Sequence, residues 1–365
     1  MARIVIDGRI INSSTGRYVE RLVTYLEKID KTNEYIVLVP KKDLDYWKPS
    51  GDNFTVVECN YKNYSFGEQF GFVFQLYRLK ADLVHFCMPQ QPLLYRRTHV
   101  TTMHDLTLLR SVSSDKNYLY FKFKQFIGSF VWKYVGKTST YIMAITEYTR
   151  KDYLNFSGVD EKKVITTILA ADQTTSQPEK IDIPYKNYLM YLGRQGDHKN
   201  IKRLILAHQK LLETYPDLGL VLVGKKNQLI RINEQWVDKN KYKQVLFTGF
   251  LSDEQAAWLY AHARVYVFPS LMEGFGLPGL EAMLYGAPVV SSDATCLPEV
   301  YGDAALYFNP KDVDDMAEKI TKVLDNKTLR ATLISKGYKQ VKKYSWTKMA
   351  QQTLEVYTKA LGNSK

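Results

Sequence analysis

Two carboxylates eight positions apart, Glu273 and Glu281, flank a glycine-rich turn in the run Pro269-Ser270-Leu271-Met272-Glu273-Gly274-Phe275-Gly276-Leu277-Pro278-Gly279-Leu280-Glu281. The turn follows an apolar run of buried-strand type, and Pro278 suits the first turn of a helix, so a strand, a tight loop and a helix start are predicted here. Free backbone N–H groups around Gly276 and Leu277 would then form a positive pocket for phosphate or sugar hydroxyls. A plainer reading stands beside this one: Glu281 solvates or caps a helix, and the glycines serve only the loop. A second charged loop, Gly193-Arg194-Gln195-Gly196-Asp197-His198-Lys199-Asn200, also follows a strand-like run. Its cations, Arg194 and Lys199, suit either an anion or surface ion pairs, and Asn200 either shares the site or caps a helix. No Asp-x-Asp metal motif stands after a strand where it would be expected, so no divalent metal is implied and no cofactor is expected.

Short β-branched runs alternate with amphipathic stretches and supply the elements that must carry these loops. In the first half they are ARIVID, YIVLV (35–39), FTVVEC (54–59), LVHF (83–86), HVTTMHD (99–105) and TYIMAIT (140–146). The second half repeats the pattern with NYLMYLG (187–193), LGLVLVG (218–224), VLFTGF (245–250), VYVFPS (265–270) and PVVSS (288–292). Alternation of this kind predicts parallel strands with crossover helices. The fold class is therefore α/β, with two doubly wound, Rossmann-like domains at 1–172 and 187–343. A linker at 173–186 separates them, where two prolines stand in a stretch with little periodicity. Residues 344–365 carry helical spacing and are expected as a last helix packing back on the N-terminal domain. In such sheets ligands bind beyond the carboxyl ends of the strands, where both charged loops fall.

At 365 residues, 45% hydrophobic and 24% charged, the chain suits two folded domains of ordinary size. Three separated cysteines, Cys59, Cys87 and Cys296, suggest neither a disulfide framework nor a paired-thiolate zinc site. The N-terminal run is too short for a signal peptide, and no apolar stretch approaches the roughly 18 residues of a membrane span. A cytoplasmic protein, free or peripheral on the inner face of the membrane, is expected. A net charge of +12 suits an anionic partner: phosphate-bearing substrate, acidic lipid or nucleic acid.

The surroundings of both loops resemble retaining glycosyltransferases of family four, the glycosyl transferases group 1, which have the two-domain GT-B fold and include mannosyltransferases. Gly286-Ala287-Pro288-Val289-Val290, Leu297-Pro298-Glu299 and Gly302-Asp303-Ala304 follow Glu281 at the family's spacing, and residues 193–200 resemble its Gly-Arg-x4-Lys-Asn signature. In the first half, Thr15-Gly16-Arg17-Tyr18 resembles the loop that approaches the donor diphosphate. Ser14 stands where a second glycine is usual, and a plain helix start capped by Ser or Thr is the alternative. Met103-His104-Asp105-Leu106 resembles the family's His-Asp element, with His104 facing the donor sugar and Asp105 orienting it or binding a loop. Otherwise His104 is a hydrogen-bonded structural residue. Thr146-Glu147 either lines the cleft or provides a helix cap.

The resemblance implies transfer of a hexose, mannose or glucose, from a nucleotide diphosphate donor to a glycan or lipid-linked acceptor in cell-envelope synthesis, with retained anomeric configuration. The donor would lie in the cleft between the domains. Arg194 and Lys199 would hold the departing diphosphate in place of a metal, because two fixed cations stabilise the charge it gains. Glu281 would bind the ribose; Glu273, Gly274 and the main chain of Phe275, Gly276 and Leu277 would hold the sugar. Gly193, Asn200 and Gly224 would also contact the donor, and Gly249, Phe250 and Leu251 would face the base. A nucleotide-sugar epimerase shares this architecture. A basic nucleic-acid-binding protein is suggested by charge alone, and no motif supports it.

Residues 116–137, KNYLYFKFKQFIGSFVWKYVGK, hold five lysines, eight aromatics and no acid. Leu119, Phe123, Phe126, Phe130 and Tyr134 fall on one helical stripe. Either that stripe packs into the core beneath solvated lysines, or the helix meets an anionic membrane or a lipid-linked acceptor.

Overall fold

The computed structural model describes residues 1–13, 15–111, 118–172 and 176–362, without the side chains of residues 119–121. Ser14, Lys116 and the Leu119 side chain, which enter the readings above, lie outside it. The chain forms two compact units: Met1–Leu109 with Lys124–Leu169 and Ser345–Lys365, and Arg110–Phe123 with Ala170–Tyr344.

The first unit is built on seven strands: β1 (Arg3–Asp7), β2 (Glu34–Val39), β3 (Phe54–Glu58), β4 (Leu83–Phe86), β5 (His99–Met103), β6 (Tyr141–Ala144) and β7 (Val164–Thr166). All pair in parallel, in the order β3-β2-β1-β4-β5-β6-β7. Parallel strands covered on both faces need near-continuous apolar runs; β4 and β5 are buried along their whole length. β7 was not foreseen, because its three residues are too few for a pattern to show.

The helix Trp346–Gly362 belongs to this unit and packs on the helix Gly16–Ile29. A buried chain of polar groups fastens it. The Tyr357 hydroxyl lies 2.6 Å from His85 Nδ1, His85 Nε2 lies 2.8 Å from Thr102 Oγ1, and Thr102 Oγ1 lies 2.8 Å from the Tyr18 hydroxyl. Burial, with the charge of His104 adding to it, pushes the His85 imidazole down to about 3, so it stays neutral.

The helix Tyr118–Thr138 turns a different face inward than the sequence stripe implied. Gln125, Gly128, Trp132 and Val135 are buried, while Phe123, Phe126 and Phe130 are exposed and Tyr134 is half-buried. Aromatic residues on every side of this helix leave its apolar periodicity without a preferred face. The core-packing reading of the predicted stripe is therefore overturned.

The second unit contains β8 (Asn187–Leu192), β9 (Leu218–Val223), β10 (Val245–Gly249), β11 (Val265–Phe268), β12 (Val289–Ser292) and β13 (Ala305–Phe308). These are also all parallel, in the order β10-β9-β8-β11-β12-β13. Strand β13, half-buried and only four residues long, was the other strand not foreseen. Each sheet reverses its strand order beside its first strand, at β1/β4 and at β8/β11, which is where doubly wound sheets open a ligand crevice.

Candidate functional site

In the second unit the two charged loops leave adjacent strands, β8 and β11, at that reversal. The Leu271 N–H donates to the His198 carbonyl at 2.7 Å and locks the loops together. Lys199 Nζ then lies 2.5 Å from Glu273 Oε1, with both side chains largely buried at 18% and 11% exposure. The ammonium also stands 6.0 Å from the centre of the Phe268 ring. Arg194, five residues before Lys199, is exposed. Of the two cations, one is held in an ion pair and the other reaches into solvent.

Asn200 adopts left-handed backbone, φ 63°, at the start of the helix Ile201–Leu211. Its side chain does not cap that helix. Nδ2 donates to the Pro269 and Pro310 carbonyls at 3.0 and 2.7 Å, and Oδ1 accepts from Arg203 at 2.9 Å. The cap reading is thus corrected, and the amide is occupied by protein atoms rather than open to a ligand. It acts by fixing the Lys199 loop onto the loop after β11.

Glu273 is anchored through its backbone as well. Its N–H donates to Thr295 Oγ1 at 3.1 Å, and Cys296 Sγ donates to its carbonyl at 3.2 Å. Thr295 holds φ 56°, an unusual conformation for a β-branched residue. Sequence reasoning missed Thr295; its only signal is a strained backbone, which no motif reveals. Gly276, φ 93°, turns the chain into the helix Leu277–Leu284, with Pro278 in the first turn as the sequence implied. A side chain at Gly276 would meet the Tyr301 hydroxyl at 2.5 Å. That hydroxyl donates to the Gly276 carbonyl at 2.6 Å. Phe275 is buried edge-on against Tyr344. Glu281 is buried too and accepts from the Tyr260 hydroxyl at 3.3 Å, so it does not solvate its helix.

Gly193, Gly224 and Gly249 line up at the ends of β8, β9 and β10. The Gly193 N–H donates to Val223 at 3.0 Å and the Gly224 N–H to Gly249 at 3.1 Å. A Cβ on Gly224 would stand 2.5 Å from the Gly193 carbonyl oxygen, so only glycine permits this approach. Beyond Gly249, Phe250 is highly exposed and Leu251 half-buried.

In the first unit, Gly16 begins the helix Gly16–Ile29 with no side-chain cap from Thr15; Ser14, the other candidate cap, lies outside the described residues. A Cβ there would meet the Ile11 carbonyl oxygen at 1.8 Å, so the loop itself requires a glycine. His104, half-buried after β5, places Nε2 2.9 Å from the Cys87 carbonyl, which fixes the proton on Nε2 and leaves Nδ1 as an acceptor. The Tyr18 ring packs edge-on against it at 5.0 Å. Burial lowers the His104 pKa, and the Cys87 contact and Asp105 oppose that shift. Asp105 accepts from the Thr107 N–H at 2.7 Å, binding the following loop. Thr146 caps the helix Glu147–Ser157, accepting from the Thr149 N–H at 3.0 Å.

Among the described residues, no three His, Cys, Asp or Glu side chains gather where they could hold a metal ion. Two Asp-x-Asp runs follow strands, Asp43-Leu44-Asp45 after β2 and Asp312-Val313-Asp314 after β13. Asp43 accepts from the Asn12 amide and Asp45 pairs with Lys48. Asp312 caps the helix Val313–Asp325, accepting from Asp314 and Asp315, and Asp314 is paired with Lys210. Among the described residues no helix is long and apolar enough to cross a membrane.

The family described as Glycosyl transferases group 1 matches residues 173–340, the greater part of the second unit. The O-antigen chain mannosyltransferase B of Escherichia coli is 34% identical over 59% of this chain and 60% of its own length. The MMP alpha-(1->4)-mannosyltransferase of Mycolicibacterium hassiacum is 43% identical over 63% of this chain and 56% of its own. The chain thus spans under two thirds of either relative in these matches. The structure of sucrose-phosphate synthase from Thermosynechococcus elongatus covers 100% of both chains with a TM-score of 0.81 at 19% identity, a likeness of fold.

Proposed function

We propose that this chain, which carries a glycosyl transferases group 1 domain in residues 173–340, is a retaining hexosyltransferase. It would move mannose from a guanosine diphosphate donor, or glucose from its own nucleotide donor, to a glycan or lipid-linked acceptor of the cell envelope. The Lys199–Glu273 contact across the strand reversal of the second sheet carries this reading, since it puts a cation and a carboxylate where doubly wound sheets take ligands. The similarity to two mannosyltransferases supports the sugar.

In the reaction the bond from the anomeric carbon to the diphosphate breaks and a bond to the acceptor oxygen forms on the same face. The acceptor proton passes to the departing diphosphate. Arg194 and Lys199 stabilise the charge that the diphosphate gains, so the step needs no metal cofactor. Glu273 and the N–H groups near Gly276 and Leu277 hold the sugar, Glu281 the ribose, and the loop at Gly249, Phe250 and Leu251 the base. His104 presents its Nδ1 acceptor to a sugar hydroxyl. The protein meets an anionic membrane peripherally through Lys122, Lys124, Lys133 and Lys137, all exposed on the helix Tyr118–Thr138.

The test is release of nucleoside diphosphate from a panel of nucleotide sugars, with and without envelope glycan or lipid extract, followed by NMR of the product's anomeric centre. Acceptor-dependent release with the donor's configuration kept is expected. Isomerisation of the donor alone, or an inverted product, would overturn the reading.

A further inference from the structure

Three phenylalanines spaced by four residues stand far out of the first unit: Phe66 at 87%, Phe70 at 63% and Phe74 at 64% exposure. They line the outer side of a helical segment that is π-helical over Glu68–Phe72 and α-helical over Val73–Arg78. Its inner side is fixed. Glu68, buried, pairs with Arg9 at 2.9 Å, Arg9 pairs with Asp7 at 2.8 Å, and the Arg9 guanidinium lies 4.2 Å from the centre of the Phe72 ring. With that side anchored, the three outward rings cannot turn into the core.

A neighbouring helix carries a second exposed apolar face. Phe126 and Phe130, at 75% and 67% exposure, and Ile127 project from the helix Tyr118–Thr138. The main chain of Leu93 joins the two elements: its N–H donates to Gln69 at 2.8 Å and its carbonyl accepts from the Tyr134 hydroxyl at 3.4 Å. Exposed Leu94 lies next in the chain. So large an aromatic surface on one folded unit marks an interface. The charges around it choose the partner. Between residues 58 and 82 Glu68 is hidden against Arg9, and exposed Lys62, Arg78 and Lys80 outnumber the exposed acids Glu58 and Asp82 at the two ends of that stretch; residues 116–137 contain no acid at all.

We propose that Phe66, Phe70 and Phe74 form a rigid apolar anchor that inserts into the interface of an anionic lipid bilayer, beside Phe126, Ile127 and Phe130. Aromatic rings favour the headgroup boundary and the surrounding cations favour acidic lipid. This rests on the peripheral-membrane contact proposed above and adds the element that supplies apolar insertion.

Flotation of the full chain with phosphatidylcholine vesicles, with and without phosphatidylglycerol, tests it. The wild type is expected to float with the anionic vesicles. The exposed-site variant Phe66→Ser/Phe70→Ser/Phe74→Ser, with melting temperature unchanged, should lose about tenfold or more in partitioning. If that variant floats like the wild type while Lys122→Gln/Lys124→Gln/Lys133→Gln does not, the anchor is wrong and the lysine contact stands. If the wild type never floats, both are wrong. A concentration-dependent dimer that the phenylalanine variant abolishes, without vesicle binding, would overturn the proposal in favour of a second copy. Transfer to a water-soluble acceptor reads the activity separately and should be unchanged in the phenylalanine variant.

Discussion

Lys199 Nζ and Glu273 Oε1 lie 2.5 Å apart, joining the loop after β8 to the loop after β11 at the reversal of the second sheet. The two residues are 74 positions apart in sequence, so the topology alone brings them together. Removing one partner strands a largely buried charge, whereas removing both does not. Lys199→Met or Glu273→Gln alone should therefore lower stability by about 1–3 kcal/mol in urea titration, and the double variant by less than the sum. Lys199→Met should also cut turnover by about 100- to 1,000-fold, with no recovery in the double variant. Additive stabilities would show that the pair contributes nothing.

Thr295 holds Glu273 in place at the expense of backbone strain. Thr295→Ser keeps the hydroxyl and removes the β-branch, so it should melt at or above the wild-type temperature with activity preserved. Thr295→Val keeps the shape but leaves the Glu273 N–H without its acceptor, and should lose about 1–3 kcal/mol and raise KM for the donor. Equal behaviour of the two variants in calorimetry and kinetics would remove Thr295 from the account.

Asn200 donates to two carbonyl oxygens, so an acid there is worse than a truncation. Asn200→Asp would face the Pro269 and Pro310 oxygens with negative charge, and should be less stable than Asn200→Ala by about 1 kcal/mol or more. Chemical denaturation of the pair checks the order; Ala at or below Asp would contradict the donor role.

Burial pushes the His85 imidazole down to about 3 and that of His208 down to about 4, against the ordinary 6.5 of an imidazole in the unfolded chain. Both are neutral in the folded protein, so their stability contribution is intact above about pH 6.5. It erodes as pH falls from there toward about 4 for His208 and 3 for His85, because only the unfolded chain takes up the protons. Melting temperatures should fall across that window, and less steeply in His85→Gln. An unchanged slope in that variant would mean that His85 is not the group responsible.

Much of the fold was legible because parallel strands buried on both faces print themselves as apolar runs, as at β5 and β9. Short β7 and β13 lacked that signal, and missing β13 hid the strand before Asp312-Val313-Asp314. The loops at Arg194–Asn200 and Glu273–Gly276 were visible from residue type and spacing. How their residues are partnered was not: Asn200 finds Pro269 and Pro310, and Glu273 finds Thr295, all distant in the chain. The outward Phe66, Phe70 and Phe74 were also missed, since an apolar repeat reads alike whether it faces the core or a partner.

Arg194, exposed, and Lys199 are proposed together as the clamp on the donor diphosphate, and calorimetric titration of GDP and UDP into the wild type and Arg194→Ala tests that most directly. One nucleotide should bind the wild type, and the variant should bind it at least about tenfold more weakly, as the loss of a charge-assisted contact requires. The same Kd for both proteins, or no binding of either nucleotide to the wild type, would contradict the assignment.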